Sequence, residues 1–284
     1  MQIIKTINEI RKIVASVRGA GRRIGFVATM GAFHEGHLSL IRACRSQCDF
    51  TVVSIFVNPT QFGPSEDFAS YPRDFDSDCD DCLKEGVDLV FMPSDYEMYP
   101  EKNISWVNVE TLTDHLCGKS RPIHFRGVCT VVAKLFGIVR PDVSYFGQKD
   151  AQQVAVIERM VQDLNLDIEI SRCPTVREAD GLAMSSRNQY LSESERQDAL
   201  CLWRAMQRAS EMAAAGEDDC AVIIAQMRKI VEKYPSARID YISIVDNELL
   251  QPLSRIDRQV LVALAVKIGK CQLIDNIVVD RSAS

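Results

Sequence analysis

The feature that most constrains the fold is an alternation of short apolar segments with helical ones over the first 175 residues. The apolar segments are rich in β-branched residues, which is typical of strands buried on both faces of a sheet. They are "RRIGFVAT" (22–29), "FTVVSIFVN" (50–58), "VDLVFMP" (87–93), "VSYFG" (143–147) and "DIEISRCP" (167–174). Helical segments separate them, over about 37–47, 74–86, 128–141 and 150–164. This order predicts an α/β fold with a Rossmann-like, doubly wound parallel sheet.

The pattern changes after about residue 175, where two helices precede two strand-like segments. The first helical stretch opens on a capping box, Ser192 with Glu195, and closes on Gly216. A second helix is predicted over about 219–234, and the strand-like segments "ARIDYISIVDN" and "RQVLVALAVKIG" follow it. We therefore predict a Rossmann-like domain over residues 1–175 and a smaller α+β C-terminal domain over 176–284.

Charge and hydropathy exclude several classes of function. The 284 residues carry a net charge of −6, whereas nucleic-acid binders usually present a basic patch, so we expect no nucleic-acid partner. No apolar run approaches the roughly 20 residues of a membrane helix, so we expect no membrane partner. The opening segment "MQIIKTINEIRKIV" lacks the pattern of a signal peptide, and we expect a cytoplasmic protein.

The ten cysteines are too dilute for a disulfide scaffold, and reduced thiols are expected in the cytoplasm. Two local pairs, Cys44 with Cys48 and Cys79 with Cys82, leave a four-thiolate zinc site open as an alternative. Both pairs fall in polar, helical segments, which favours small buried or half-buried thiols instead.

A glycine-rich turn carries two of the four histidines of the chain. The stretch "TMGAFHEGHLSLI" (29–41) lies where the first predicted strand leads into the first predicted helix. Gly31 permits a tight turn, and Gly36 lets a ligand approach the backbone. A helix N-terminus with nearby imidazoles suits phosphate oxygens, so the turn predicts a nucleotide phosphate site. The alternative is that one of the histidines, His34 or His37, only caps the helix.

The motifs resemble those of a known family. "HEGH" (34–37) and "AMSSRN" (183–188) are similar to the two signatures of the nucleotidylyltransferase superfamily. The closer resemblance is to the pantothenate synthetase (pantoate–β-alanine ligase) family. It rests on "TMGAFHEGHLSLI" (29–41), "VVSIFVNPTQFGPSEDFASYPR" (52–73), "GKSRPIHFRGVCTVVAKLF" (118–136) with "VRPDVSYFGQKDAQQ" (139–153), and "PTVREADGLAMSSRNQYLS" (174–192). These blocks are long, ordered and correctly spaced, and the resemblance covers nearly the whole chain, most weakly over residues 195–240 and the last few residues.

The resemblance implies a two-step ligase reaction. ATP would activate (R)-pantoate as pantoyl adenylate with release of pyrophosphate, and β-alanine would then displace AMP to give pantothenate. ATP is a substrate, Mg²⁺ is implied by ATP chemistry, and a homodimer is implied by the family. Two alternatives stay open: another adenylyl or cytidylyl transferase of the superfamily, and a non-catalytic module that binds ATP and reports it to a partner.

The resemblance also assigns residues to ATP. His37, His34 and Lys149 are the catalytic candidates, and His37 is either a general acid or an electrostatic donor. The predicted ATP-binding residues are Met30, Gly31, Ala32, Phe33, His34, Glu35, Gly36, His37, Gly147, Gln148, Lys149, Asp150, Val176, Met184, Ser185, Ser186 and Arg187.

Two amides are the candidates for pantoate. Gln61 and Gln153 can each donate and accept hydrogen bonds, and Gln61 would also contact β-alanine. Phe56, Val131 and Val132 either pack the gem-dimethyl group or form ordinary core. The metal ligands are unknown: the carboxylates of "SEDF" and "DFDSDCDD" are not assigned, and the second run is expected to be a solvated helix face.

Two positions depart from the family pattern. Ala28 stands where the family usually has proline, and Ile123 stands where it commonly has glycine. If position 123 requires a positive φ, a β-branched residue would be strained there, which would alter the loop that carries His124.

Overall fold

The structure is a computed structural model that describes residues 1–64, 66 and 68–280. Ser65 and Asp67, both within the "SEDF" segment, and residues 281–284 lie outside the described residues. The chain divides into two compact units. The first consists of Met1–Val109, Arg121–Gln148 and Val156–Pro174, and the second of Glu110–Ser120, Lys149–Ala155 and Thr175–Ser284.

A parallel sheet forms the centre of the first unit, as the apolar segments predict. Among the described residues it has six strands: β1 (Gln2–Ile4), β2 (Ile24–Thr29), β3 (Phe50–Ile55), β4 (Leu89–Phe91), β5 (Val143–Gly147) and β6 (Glu169–Cys173). Their order is β1-β4-β3-β2-β5-β6, and every neighbouring pair is parallel.

Helices cover both faces of this sheet. The helices of the chain are α1 (Ile7–Gly19), α2 (Glu35–Gln47), α3 (Phe75–Lys84), α4 (Asp95–Met98), α5 (Leu116–Ser120), α6 (His124–Val139), α7 (Ala151–Asp163), α8 (Glu193–Asp198), α9 (Leu200–Ala214) and α10 (Cys220–Val231). Val27 of β2 packs with α2 and α3 on one face, and Phe26 meets Phe136 of α6 on the other. Adjacent strand residues point to opposite faces, so this arrangement is the predicted doubly wound fold.

The order of the strands places a switch point between β2 and β5. The chain leaves β2 toward β3 and β4, and later returns to the opposite side of β2 as β5. The ladder between the two strands covers Gly25 with Val143 and Phe26 with Ser144, near their amino ends. Ligands of open α/β sheets bind outside the carboxyl ends of the strands at such a point. In this unit that edge carries the glycine turn after β2 and Gly147 at the end of β5.

The second unit contains an antiparallel meander, β7 (Ala237–Asp246), β8 (Val260–Ile268) and β9 (Cys271–Val279). Helices α9 and α10 pack on it around a core of buried apolar side chains that includes Met206, Ile223 and Leu264. The capping box of Ser192 and Glu195 is present at the start of α8. A smaller α+β C-terminal part is therefore confirmed.

Local details differ from the sequence prediction. The single helix expected from Ser192 to Gly216 is two helices, because the chain breaks near Ala199. Helix α2 begins at Glu35 rather than His37, and α6 begins at His124, earlier than residue 128. Strand β1, helix α1 and strand β9 were not predicted. β1 has only three residues, too few for a periodic pattern to emerge.

The concern about Ile123 was wrong. Its φ is −97°, in the right-handed region, so a β-branched side chain is tolerated there without backbone strain. It is the residue that precedes the first turn of α6, and the Gly127 N–H donates to its carbonyl. The loop that carries His124 is therefore compatible with this substitution.

The ten cysteines, all within the described part of the chain, are free thiols. Burial raises the pKa of the Cys44 thiol to about 12, which makes it a poor nucleophile.

No helix in residues 1–64, 66 and 68–280 is long and apolar enough to cross a membrane.

Candidate functional site

The glycine turn after β2 is held from below by a buried carboxylate. Gly31 and Ala32 both have positive φ, +81° and +54°. The two oxygens of Asp78 accept the backbone N–H groups of Ala32, at 2.9 Å, and Phe33, at 2.8 Å. A Cβ at Gly31 would lie 2.6 Å from Asp78 Oδ2, so only glycine fits against this carboxylate.

Asp78 corrects the interpretation of the acidic run as a solvated helix face. Its neighbours Asp76 and Asp80 are exposed, but Asp78 is only 2 % exposed and faces the sheet from α3. Burial raises the pKa of Asp78, while the N–H groups of Phe33 and Ala32 act in the opposite direction. Sequence reasoning missed this residue. The available signal was its place on the same helix face as Cys82, four residues later, which is also buried.

Thr29 ties the start of the turn to the neighbouring strand. Its hydroxyl donates to the carbonyl of Ser54 on β3, at 2.7 Å, and accepts the N–H of Gly31, at 3.2 Å. The turn is thus braced from β3 and from α3, and its backbone is fixed without help from a ligand. Such a braced loop at a helix N-terminus is pre-organised to meet an anion.

His34 caps the N-terminus of α2. Its Nδ1 accepts the N–H of Gly36 at 3.1 Å. A Cβ on Gly36 would lie 2.8 Å from the His34 ring, so this glycine also makes room for the cap. Because Nδ1 is the acceptor, the neutral ring carries its proton on Nε2 and can donate from that nitrogen. Capping and phosphate binding are therefore compatible.

The His34 and His37 rings lie next to each other. Their centroids are 4.2 Å apart, and the ring of Phe33 lies 5.3 Å from that of His37. The two imidazoles form one cluster at the first turn of α2, where the N-terminal end of the helix carries partial positive charge. Glu35, between them in sequence, pairs with Arg42, which also binds Glu85.

Gln61 has an oriented amide. Its Oε1 accepts from Asn58 Nδ2 at 3.1 Å, and its Nε2 lies 3.0 Å from the sulfur of Met30. Gln61 is 7 % exposed and Asn58 is 1 % exposed. With Oε1 engaged by Asn58, Gln61 meets a ligand chiefly as a donor, through Nε2. That polarity suits a carboxylate or a hydroxyl oxygen.

Asn58 is itself fixed by four further hydrogen bonds, one of them from the Thr60 N–H to its Oδ1 at 3.4 Å. Its Oδ1 accepts from Tyr99 OH at 2.9 Å and from the Thr60 hydroxyl at 3.0 Å, and its Nδ2 also donates to the Gly127 carbonyl at 3.2 Å. Burial raises the pKa of Tyr99, which keeps its hydroxyl protonated as a donor. Asn58 was not among the predicted residues, although "NPTQF" contains it.

The apolar candidates for pantoate, Phe56, Val131 and Val132, are all buried. Phe56 directly follows β3, and the centre of its ring lies 6.3 Å from the centre of the Tyr99 ring. The two valines belong to α6. Their burial is that of ordinary core residues, so a contact with the gem-dimethyl group stays a prediction.

The remaining predicted residues begin at the end of β5. A Cβ on Gly147 would meet no atom within 4 Å, so the backbone faces open space there. Gln148, Lys149 and Asp150 form a 3-10 turn that precedes α7, and Lys149 Nζ lies 3.8 Å from Asp150 Oδ2. Lys149 and Asp150 belong to the second unit, whereas Gln148 belongs to the first.

A hairpin joins the last predicted ATP residues within the second unit. The Met184 N–H donates to the Val176 carbonyl at 3.0 Å, and the chain reverses at Gly181, whose φ is +96°. Ser185 then caps a short 3-10 turn that holds Ser186 and Arg187, and its hydroxyl accepts from the Arg187 N–H at 3.3 Å. The hairpin therefore brings Val176 beside the Met-Ser-Ser-Arg segment (184–187). In sequence, Val176 and this segment are eight or more residues apart.

Comparison with known proteins decides the family. The model of the pantoate–β-alanine ligase family matches residues 2–278. The chain belongs to this family. Its relatives include pantothenate synthetases of Heliobacterium modesticaldum, 56 % identical over 280 residues, and of Caldicellulosiruptor bescii, 54 % identical over 280 residues. The alignments cover 99 % of this chain and, respectively, 100 % and 99 % of the relatives.

Solved structures of pantoate–β-alanine ligases share the fold. The pantothenate synthetase from Thermus thermophilus is similar with a TM-score of 0.93 and 43 % identity, covering 98 % of this chain and 99 % of that one. The ligase from Francisella tularensis, complexed with β-γ ATP and β-alanine, has a TM-score of 0.80 and 35 % identity, with coverage of 98 % and 97 %. The chain is thus a ligase of this family.

The predicted site residues fall into two sets. Met30 to His37, with Gln61, Gly147 and Gln148, lie in the first unit, and Lys149, Asp150, Gln153, Val176 and Met184 to Arg187 lie in the second. Within each unit, several residues of the set are tied to one another by the hydrogen bonds described above. Their joint action on one ATP molecule is a proposal.

No group of three or more His, Cys, Asp or Glu side chains that could hold a metal occurs in the described part of the chain. Asp67 of "SEDF" lies outside that part. Mg²⁺ keeps several waters and binds through one or two carboxylates together with substrate phosphates.

Proposed function

We propose that this chain condenses (R)-pantoate with β-alanine to pantothenate through a pantoyl adenylate. In the first step a pantoate carboxylate oxygen bonds to the α-phosphorus of ATP, and the bond from that phosphorus to the bridging oxygen breaks, releasing pyrophosphate. In the second step the β-alanine amine attacks the acyl carbon, loses a proton, and displaces AMP. The observation that carries the proposal is the full-length family match together with the braced histidine turn.

The geometry of the first-unit residues supports a role for each of them in the proposed reaction. The turn from Met30 to His37 would offer imidazole donors and the positive end of the α2 dipole to the phosphates, and His34 would donate from Nε2. His37 would stabilise charge that builds on the phosphorus or protonate the leaving group. Gln61 would direct Nε2 at the carboxylate or hydroxyls of pantoate and later at β-alanine, because Asn58 holds its oxygen.

The second-unit residues would serve the nucleotide and pantoate. Lys149 would contact phosphate oxygens, Asp150 the ribose hydroxyls, and Gln153 the pantoate. The segment from Met184 to Arg187, with its two hydroxyls and a guanidinium, suits the departing pyrophosphate. Mg²⁺ would neutralise phosphate charge, held by phosphate oxygens and waters.

We further propose that the enzyme is a cytoplasmic homodimer. Family membership supports the dimer, and sedimentation of the purified chain would test it. The ten free thiols suit a reducing compartment. The net charge of −6 agrees with small anionic substrates bound by local donors rather than with nucleic acid.

The test is a product assay with ATP, pantoate and β-alanine. We expect AMP, pyrophosphate and pantothenate in equal amounts, and no pantothenate when either pantoate or β-alanine is withheld. Formation of ADP would overturn the mechanism. Turnover with another acyl or nucleotidyl acceptor but not with pantoate would favour another adenylyl or cytidylyl transferase of the superfamily. ATP binding without AMP release would favour the non-catalytic module.

A further inference from the structure

Strand β9 reaches three segments that carry predicted ATP residues in the second unit. Asn276 Nδ2 donates to the Lys149 carbonyl at 2.9 Å. Asp275 pairs with Arg177, the neighbour of Val176, at 2.7 and 2.9 Å. Cys271 Sγ lies 3.7 Å from the Arg187 carbonyl. None of these three β9 residues was predicted to have a role.

The bond from Asn276 fixes the backbone from which the Lys149 side chain extends. Asn276 is 5 % exposed, and its position on β9 is set by pairing with Ala263 of β8. A lysine side chain has four rotatable bonds, so its reach is defined only if its own backbone is held. Residues 148–150 form a short 3-10 turn, and this side-chain bond connects that turn to a regular sheet.

Asp275 fixes the hairpin next to the same point. Its side chain is 1 % exposed and accepts hydrogen bonds from both terminal nitrogens of Arg177. Arg177 also donates to the Gly181 carbonyl at 3.0 Å, and its guanidinium lies 4.1 Å from the centre of the Trp203 ring. The Asn276 N–H donates to Asp275 Oδ1 at 2.8 Å. Adjacent residues of one strand thus hold the Lys149 turn and the Val176 hairpin.

We propose that Asn276 is a positioning residue that sets Lys149 for ATP, with Asp275 setting the neighbouring hairpin. The inference rests on the proposed function, because it concerns the ATP site of the pantothenate-forming reaction. Asn276 acts through Lys149. It supplies a neutral donor, and a carboxylate of the same shape at that position would repel the Lys149 carbonyl.

The test is Asn276→Asp, compared with Gln272→Glu on the same strand. Gln272 is half-buried and donates to Asp240, so the control makes the same amide-to-carboxylate change away from the ATP segments. Asn276→Asp is expected to raise the KM for ATP about tenfold, with the KM for β-alanine changed less than about twofold. Gln272→Glu is expected to leave both constants within about twofold of wild type, even if its melting temperature falls.

The wild-type enzyme separates the two possible failures. If wild type forms no pantothenate, the proposed function fails; if wild type is active and folded Asn276→Asp keeps its KM for ATP, the positioning role is overturned. An equal rise in the KM for β-alanine would also overturn it. Should Asn276→Asp not fold by circular dichroism, Asn276→Ser decides, because its neutral hydroxyl is too short to keep the bond. A raised KM for ATP in that variant supports the proposal, and an unchanged one overturns it.

Discussion

At the scale of single residues, the histidine turn depends on a carboxylate that is not among the predicted site residues. Asp78 is buried below the turn and accepts two of its backbone N–H groups. His34 caps the helix through Nδ1 and leaves Nε2 as its protonated nitrogen in the neutral form. The hydrogen bonds of Asp78 therefore set the backbone of the turn, and the hydrogen bond of His34 sets which of its ring nitrogens carries the proton.

His37→Ala is expected to lose adenylation with little loss of folding stability. The ring is half-buried at the first turn of α2, and a donor that stabilises charge in the transition state is worth on the order of 10²–10³ in rate. The rate of AMP formation and the melting temperature measure the two effects. His115→Ala is the control, since His115 bonds to Gln251 in the second unit outside the predicted set. Near-normal turnover of His37→Ala would remove His37 from the mechanism.

Asp78→Asn is expected to weaken both folding and ATP handling. The amide keeps the shape but replaces one acceptor oxygen with a donor, so one buried N–H of Ala32 or Phe33 loses its partner, at a cost of about 1–3 kcal/mol. Denaturant unfolding and the KM for ATP are the measurements. Asp80→Asn, an exposed position of the same helix, should change neither. Equal effects from the two variants would mean that helix charge, rather than the bond to the turn, is responsible.

At the scale of elements, short irregular segments are tied by side-chain hydrogen bonds to distant parts of the chain. The 3-10 turn before α7 is tied to β9 through Asn276, and Glu66, after Gln61, is tied to the segment between α5 and α6. In the second case Arg121 forms two hydrogen bonds with Glu66, one of them 2.9 Å from Nε to Oε1. Both residues belong to the first unit, and Glu66 lies five residues after Gln61, the pantoate candidate in that unit.

Glu66→Gln is expected to lower the free energy of unfolding by about 1–2 kcal/mol at pH 7, since the pair is partly buried and bidentate. Burial acts to raise the pKa of Glu66, but the hydrogen bonds and charge of Arg121 outweigh it and the net pKa is below the ordinary 4.5. A lowered folded-state pKa gives stability that is present above 4.5 and is lost as the pH falls through the folded-state pKa.

The measurement is urea unfolding of wild type and Glu66→Gln from pH 7 down to about pH 3. The difference between their free energies of unfolding is expected to become smaller as the pH falls. The exposed pair of Arg23 with Glu169 supplies the control, Glu169→Gln, with an expected loss of less than about 1 kcal/mol. A gap that stayed constant down to the lowest pH would show that Glu66 acts by packing rather than by its charge.

At the scale of the whole molecule, the two sequence motifs favour attack at the α-phosphorus of ATP. The sequence pairs "HEGH" with "AMSSRN" and contains no GxxxxGK[ST] loop of the kind used by many enzymes that transfer the γ-phosphate. The two motifs belong to different units of the chain.

Labelled pyrophosphate is expected to return label to ATP only when pantoate is present. Without β-alanine the first step should stop at bound pantoyl adenylate, which pyrophosphate can reverse. The incorporation of label into ATP is measured with and without pantoate, and the His37→Ala protein serves as the inactive control. Exchange in the absence of pantoate would contradict the assignment of pantoate as the acyl donor.

The sequence by itself determined what depends on local pattern. Runs such as "FTVVSIF" (50–56) predict buried strands, Ser192 with Glu195 predicts a helix start, and Gly31 marks a turn that needs positive φ, because each signal lies within a few residues. The family blocks placed the candidate site residues along the chain. Short elements such as β1 were missed, since three residues carry no period.

Only the tertiary structure decided how those residues are held. Asp78 braces a turn 46 residues earlier in the chain, and Asn276 bonds to a carbonyl 127 residues away. The orientation of the Gln61 amide depends on Asn58, whose own bonds reach Tyr99 and Gly127. Such partners are chosen by packing across the fold, and a buried polar group must find one wherever the chain brings it. No local pattern encodes that choice, and so the supporting residues emerged only from the structure.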